Sequence, residues 1–226
     1  MKNKIGILCA GDSEVAPFIK MISNCEISQI AMLRFYEGQI DNINVVTLFS
    51  GVCKVNSAIA AQILIDKFEC NVIINAGTAG AIDSKLEVFD TVISSKLAYH
   101  DVAEDLLTEF HPWLKSNYFK ADEKLIELSK KAVGNNSRVY WGEMITGEVF
   151  VDEKNRKEIT KKFKALSVDM ESASVAHVCY VNRIPFISIR TITDTPNKSG
   201  VDEFEKNCDT ASEISANIVK DILKLM

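Results

Sequence analysis

Short runs of β-branched and apolar residues alternate along the chain with longer stretches in which apolar positions recur at helical spacing. The continuous runs Ile5–Cys9, Ile43–Phe49, Val72–Asn75, Thr91–Ser94, Leu166–Val168 and Phe186–Thr193 predict buried strands, and the alternating stretch Ala31–Tyr36 an additional one. Helical periodicity predicts helices over Val55–Phe68, Glu123–Ala132, Asp152–Phe163, Ser172–Val181 and Thr210–Leu225. Strands alternating with helices imply a three-layer α/β/α sandwich around a central mixed, largely parallel twisted sheet. No repeat, low-complexity tract or Pro/Gly/Ser linker interrupts the pattern, so residues 1–226 are read as a single domain. In such a sheet, function collects in the segments that follow the carboxyl ends of the strands. Here these are Gly11–Glu14, Ser50–Lys54, Ala76–Ala81, Thr146–Val151, Asp169–Glu171 and Thr193–Pro196.

Read one at a time, the candidate residues in these segments each have an ordinary explanation. Asn75-Ala76-Gly77-Thr78-Ala79-Gly80-Ala81 is either a tight turn after a strand or a place where backbone approaches a ligand and Thr78 presents a hydroxyl. It has neither the spacing of a dinucleotide fingerprint nor the Gly-Lys-Ser/Thr of a phosphate loop. Glu171, after Val168-Asp169-Met170, either complements a helix dipole or offers two acceptor oxygens to vicinal hydroxyls. Asp194, closing Arg190-Thr191-Ile192-Thr193, is either an N-cap or an acid, and Glu14 has the same ambiguity. Phe150 is either core or a ring that stacks on a planar base. The signals converge because all fall at one edge of the predicted sheet. Carboxylates sharing an edge suit acid/base cleavage of a glycosidic bond, one giving a proton while another activates water.

Composition narrows the partners. With 47% hydrophobic residues and a formal net charge of −5, the chain is an ordinary globular sequence, not a disordered, collagenous or coiled-coil one. No basic cluster sits on a predicted helix, which argues against nucleic acid, and the apolar runs are strand-sized, which argues against a membrane. The first apolar run stops at Asp12 and Glu14, too early for a secretory signal. Neither the six cysteines nor the three histidines (His100, His111, His177) show metal-ligand spacing. The reading is therefore a reduced, cytoplasmic protein with no metal and no cofactor. His177 is expected to pack rather than ligate.

Several motifs occur in order from Ile5 to the last helix. They are Ile5-Gly6-Ile7 with Glu14-Val15, Ser50-Gly51-Val52-Cys53-Lys54-Val55, Asn75 to Gly80, Tyr99-His100-Asp101, Phe119-Lys120-Ala121-Asp122, Gly147 to Phe150, Val168-Asp169-Met170-Glu171, Ala176-His177-Val178-Cys179 and Arg190 to Asp194. Together they make the chain resemble the 5′-methylthioadenosine/S-adenosylhomocysteine nucleosidases of the nucleoside phosphorylase superfamily. The resemblance implies hydrolysis of the N-glycosidic bond of methylthioadenosine, adenosylhomocysteine and 5′-deoxyadenosine. It places the general acid, which protonates adenine N7, on Asp194 and the water-activating base on Glu14. Glu171 and Met170 would hold the ribose, Phe150 would stack on adenine, and the Val151 backbone would read the base edge. Thr78 and Arg190 would orient base and water, with Gly80 bordering the purine. The partner is then a small purine nucleoside, and the assembly a homodimer whose neighbouring loop covers the 5′-substituent; the apolar, aromatic segment Leu106–Leu114 suits such an interface. Against the family pattern, Thr78 stands for a usual Ser, Cys53 for a usual Gly and Asp169 for a usual Glu, and Ala10-Gly11-Asp12-Ser13 departs from a longer acidic run. The alternatives are a purine nucleoside phosphorylase, a futalosine hydrolase and a nucleoside-binding protein without catalysis. A phosphorylase needs cations for phosphate, and among Arg34, Arg138, Arg156, Arg183 and Arg190 only Arg190 lies in a site motif.

Overall fold

The computed structural model describes residues 4–110, 114–151, 153–198 and 200–226. Strand β1 (Lys4–Cys9) is central, and its alternation sets the layers. Ile5, Ile7 and Cys9 face helices α1 (Asp12–Met21) and α7 (Val201–Leu223), packing with Val15, Phe18, Val219 and Ile222. Leu8 faces the opposite side, where α2 (Lys54–Asp66) and α6 (Ser172–Asn182) contribute Ala60, Leu64, Ala173 and Val175. On one flank of β1 the sheet continues through β4 (Ile43–Phe49), β3 (Leu33–Ile40) and β2 (Ser23–Ile30). On the other lies β5 (Val72–Ala81), parallel to β1.

Beyond β5 the sheet closes on itself. β5 pairs in parallel with β10 (Phe186–Asp194) and antiparallel with β9 (Ser167–Asp169). β10 pairs with β6 (Thr91–Tyr99), β6 with β8 (Val139–Thr146), and β8 with β9, completing a ring. The short β7 (Phe119–Lys120) hangs on β6. Helices α3 (Leu106–Phe110), α4 (Glu123–Val133) and α5 (Glu153–Lys162) complete the order. The mixed sheet between helical layers agrees with the expected fold class, and the ring is an addition that the strand pattern does not announce.

Several elements differ from the sequence reading, each for a physical reason. β5 runs on through Ala81 instead of stopping at Asn75, because β9 and β10 pair with its small-residue end from both sides. The segment Ala76–Ala81 is thus strand, not a post-strand loop. α1 carries Pro17 in its interior and too short an apolar period to be read as a helix. β8 is interrupted in sequence by Gly142 and Glu143, and Gly142 is there because Leu166 fills the space a Cβ would take. β2 is exposed almost throughout and so has no buried face to betray it. α7 begins well before Thr210, its polar first turns carrying Asp202 and Glu203. α5 falls one residue short of its prediction at Phe163, and Asp152 lies outside the described residues. Among the described residues no helix is long and apolar enough to cross a membrane.

Candidate active site

The carboxyl ends of β1, β5, β9 and β10 open into one cavity of about 540 Å³. Glu14 enters it from the first turn of α1. The α1 start leaves backbone donors free, and Glu14 Oε2 accepts from the N–H groups of Ala10 (2.7 Å) and Gly11 (3.1 Å), as a capping carboxylate does. Its other oxygen, Oε1, accepts from the Thr78 N–H (2.7 Å), the Thr78 hydroxyl (2.8 Å) and Arg190 Nη1 (3.4 Å). Gly77 makes this approach possible. Its φ of +151° suits glycine, and a Cβ there would overlap the Glu14 carboxylate.

Arg190, wholly buried on β10, is the hub. Three carboxylates surround it: Glu14 at 3.4 Å, Asp169 at 3.2 Å and Glu171 at 3.2 Å. Its remaining donors reach the Thr78 carbonyl (3.2 Å), the Asn75 side-chain oxygen (2.7 Å) and the Ser172 hydroxyl (3.3 Å). Three anions around one cation leave an excess of negative charge, and Glu171 takes up the difference. Burial, helped by the charges of Asp169 and Glu14 and opposed by Arg190, pushes its carboxyl up to about 7. Glu171 Oε1 accepts from the Cys53 N–H at 2.9 Å. Asp169 holds the start of α6, accepting from the N–H groups of Glu171 (3.2 Å) and Ser172 (3.0 Å), from the Thr146 hydroxyl (2.6 Å) and from the Ser172 hydroxyl.

Asp194, at the end of β10, lines the same cavity. The β10–β5 register slips between Ile192 and Asp194, a bulge that turns the Asp194 carboxyl toward the cavity and against Gly80, where a Cβ would sit 3.1 Å from Oδ2. Burial raises its pKa above the ordinary carboxylate value; the Thr193 hydroxyl, donating at 3.1 Å, and the charge of Arg156 pull it down, and Glu203 adds to the rise.

All the residues singled out in the sequence line this cavity: Glu14, Thr78, Gly80, Phe150, Val151, Met170, Glu171, Arg190 and Asp194. Phe150 is 43% exposed at the mouth, where it is free to cover a flat ligand, rather than in the core. Val151 is buried. Cys53 does not line the cavity but supplies the N–H that fixes Glu171. His177 packs, its ring stacked 4.7 Å from that of Phe119. His111 lies outside the described residues. Two contributions were missed. Arg156, from α5, lines the cavity and donates to the Ala81 carbonyl, so Arg190 is not the only arginine there. α7 supplies Val201, Phe204 and Cys208 from turns that had not been read as helix, although the spacing of Val201, Phe204 and Cys208 is helical.

A pair of buried carboxyls lining one cavity, one entering after β1 and one closing β10, accompanies a match of residues 4–224 to the family model of the phosphorylase superfamily. The chain belongs to the phosphorylase superfamily. Within this superfamily it is 36% identical to the 5′-methylthioadenosine/S-adenosylhomocysteine nucleosidase of Oceanobacillus iheyensis, over 97% of this chain and 98% of that one. Among solved superfamily structures it is similar to the nucleosidase of the same description from Neisseria meningitidis, in complex with methylthio-immucillin-A (TM-score 0.92, 29% identity, 99% and 100% of the two chains). It is also similar to the futalosine hydrolase of Helicobacter pylori (TM-score 0.90, 25% identity, 99% and 98% covered).

Proposed function

We propose that the chain hydrolyses the N-glycosidic bond of 5′-methylthioadenosine and S-adenosylhomocysteine, and of 5′-deoxyadenosine, to adenine and the 5′-substituted ribose. The observation that carries this reading is the pair of buried carboxyls, Glu14 and Asp194, lining one cavity. Asp194 gives its proton to adenine N7 as the N9–C1′ bond breaks, which neutralises the leaving base. Glu14 takes a proton from water as the water oxygen bonds to C1′. Between them the ribosyl cation develops beside the acidic cluster of Glu14, Asp169 and Glu171, whose net negative charge favours it. Glu171 and Met170 hold the ribose, Phe150 stacks on adenine, the Val151 backbone reads the base edge, Thr78 and Arg190 orient base and water, and Gly80 lets the purine lie close to β5. The relatives named above support the substrate class, and the whole chain acts as one catalytic unit.

Water is preferred to phosphate because Arg190 is committed. A phosphate dianion would need its guanidinium, and three carboxylates already occupy it. Arg156 lies by Asp194, at the base end, away from the nucleophile. Adenine release measured with and without phosphate tests this: equal rates are expected, and strict dependence on phosphate with a sugar phosphate as product would overturn it. The same assay with methylthioadenosine, adenosylhomocysteine, 5′-deoxyadenosine, inosine and futalosine separates the nucleosidase from a futalosine hydrolase, and no turnover of any would mark a binding protein.

The working form is a cytoplasmic homodimer. Val52, Val55 and Ile59 at the start of α2, with Leu106 and Phe110 on α3, are apolar yet between 44% and 70% exposed, a strip suited to a second copy. The remainder of the 106–114 segment, at residues 111–113, lies outside the described residues. The free state of all six cysteines suits a reducing compartment.

A further inference from the structure

Arg156 is a buried cation whose chemistry the mechanism above does not use. It is 7% exposed, it lines the cavity, and its Nη1 donates to the carbonyl of Ala81. Ala81 follows Gly80, and Gly80 is the residue that Asp194 packs against, Asp194 being its ladder partner. The guanidinium is therefore pinned next to the strand end that carries the Asp194 carboxyl. From the same reading of Asp194 as the proton donor, we infer that Arg156 is a positioning residue for it: held on the Ala81 carbonyl, one residue from the Gly80 that the Asp194 carboxyl packs against, the guanidinium sets the charge at that end of β5.

The surroundings give this a direction. The charges acting on Asp194 are those of Arg156 from α5 and Glu203 from α7, and the carboxyls of Glu205 and Asp209 from α7 and of Asp12 and Glu14 from α1 line the same cavity. Acidic groups and burial both hold the proton on Asp194. Among the described residues that line the cavity, Arg156 is the cation at this end. The coupling is mutual, since burial lowers the pKa of Arg156 while the charge of Asp194 raises it. Without Arg156 the acid would hold its proton to higher pH and give it up to N7 less readily. With Arg156 the donor is matched to a weakly basic ring nitrogen, as acid catalysis near neutral pH requires. A guanidinium suits the task because it stays charged when buried and its fork can hold a backbone oxygen while presenting charge elsewhere.

The test is the pH profile of kcat/KM for methylthioadenosine in the parent and in Arg156→Gln, Arg156→Met and Arg156→Lys. Gln keeps a donor for Ala81, Met keeps the packing of the stem, and Lys keeps the charge; either neutral variant that folds is sufficient. The alkaline limb in the neutral variants is expected to move upward by about one pH unit, so that kcat/KM on that limb is roughly tenfold higher relative to its plateau. The Lys variant should hold the limb where the parent has it. A neutral variant whose limb coincides with the parent's, or whose rate falls uniformly at every pH, would overturn the inference. Asp194→Asn, run alongside, keeps the two readings apart. If it retains the parent's rate and profile, the assignment of Asp194 itself fails; if it is inactive while the Arg156 variants leave the limb unmoved, only the role given to Arg156 fails.

Discussion

Glu14 meets five donors with its two oxygens, so a buried carboxyl has its hydrogen-bonding capacity met by the protein itself. The same contacts that stabilise the start of α1 fix the position of the carboxyl proposed as the base. Glu14→Gln keeps the size but cannot accept a proton, and hydrolysis of methylthioadenosine is expected to be abolished while nucleoside binding stays detectable by calorimetry. Turnover at the parent rate would remove Glu14 from the role. Asp194→Asn should lower the rate at least ~10²-fold and take away the alkaline limb of the profile. Glu171 supports a different measurement. Its carboxyl, ordinarily at 4.5, is raised to about 7 in the folded chain, so the folded state binds its proton more tightly than the unfolded one. Its contribution to stability is therefore complete below about 4.5 and is lost as pH rises through about 7. Urea unfolding across that window should show the parent losing stability relative to Glu171→Gln as pH increases; parallel curves would contradict the assignment. At this scale the site was largely legible. Acids and small residues placed directly after apolar runs pointed to Glu14, Thr78, Glu171 and Asp194. Arg156 was not legible, because it sits in the polar helix segment Glu153–Lys162, where a lysine and an arginine destined for the interior look the same as solvated ones.

Among the elements, α2 shows how a local conformation serves a distant side chain. Its N-cap, Cys53, has φ +85° and ψ 165°, a region that in practice belongs to glycine, and the resulting orientation aims its N–H at Glu171. Cys53→Gly would retain that N–H and release the strain, offset in part by the greater freedom of glycine in the unfolded chain. A net gain of about 1 kcal/mol, seen as a rise in Tm of roughly 2–4 °C in a chain of this size, is expected without loss of activity. An unchanged or lower Tm would show that the Cys53 backbone is not strained. The elements that the sequence concealed share one property: their burial comes from neighbours far along the chain. β8 is held by β6 and β9, and the far end of β5 by β9 and β10, so neither carries a sufficient pattern of its own. β2 shows the converse, a strand held by pairing with β3 alone. Strands such as β1 and β10, buried on both faces, were readable almost to the residue.

For the molecule as a whole, the exposed apolar strip on α2 and α3 predicts association. Sedimentation at micromolar concentration should give about 50 kDa, twice the 25.1 kDa of the chain, and a species of only 25 kDa would reject the dimer. The closed ring has its own consequence. Glu14 enters from the first helix and Asp194 from the last strand, and they face one cavity only because β5 is flanked by β1 on one side and β10 on the other. Translation must therefore have passed Asp194, and β10 must have emerged, before either carboxyl has its counterpart. No shorter nascent product can cleave a nucleoside, and refolded protein should regain turnover in step with pairing of its last strand.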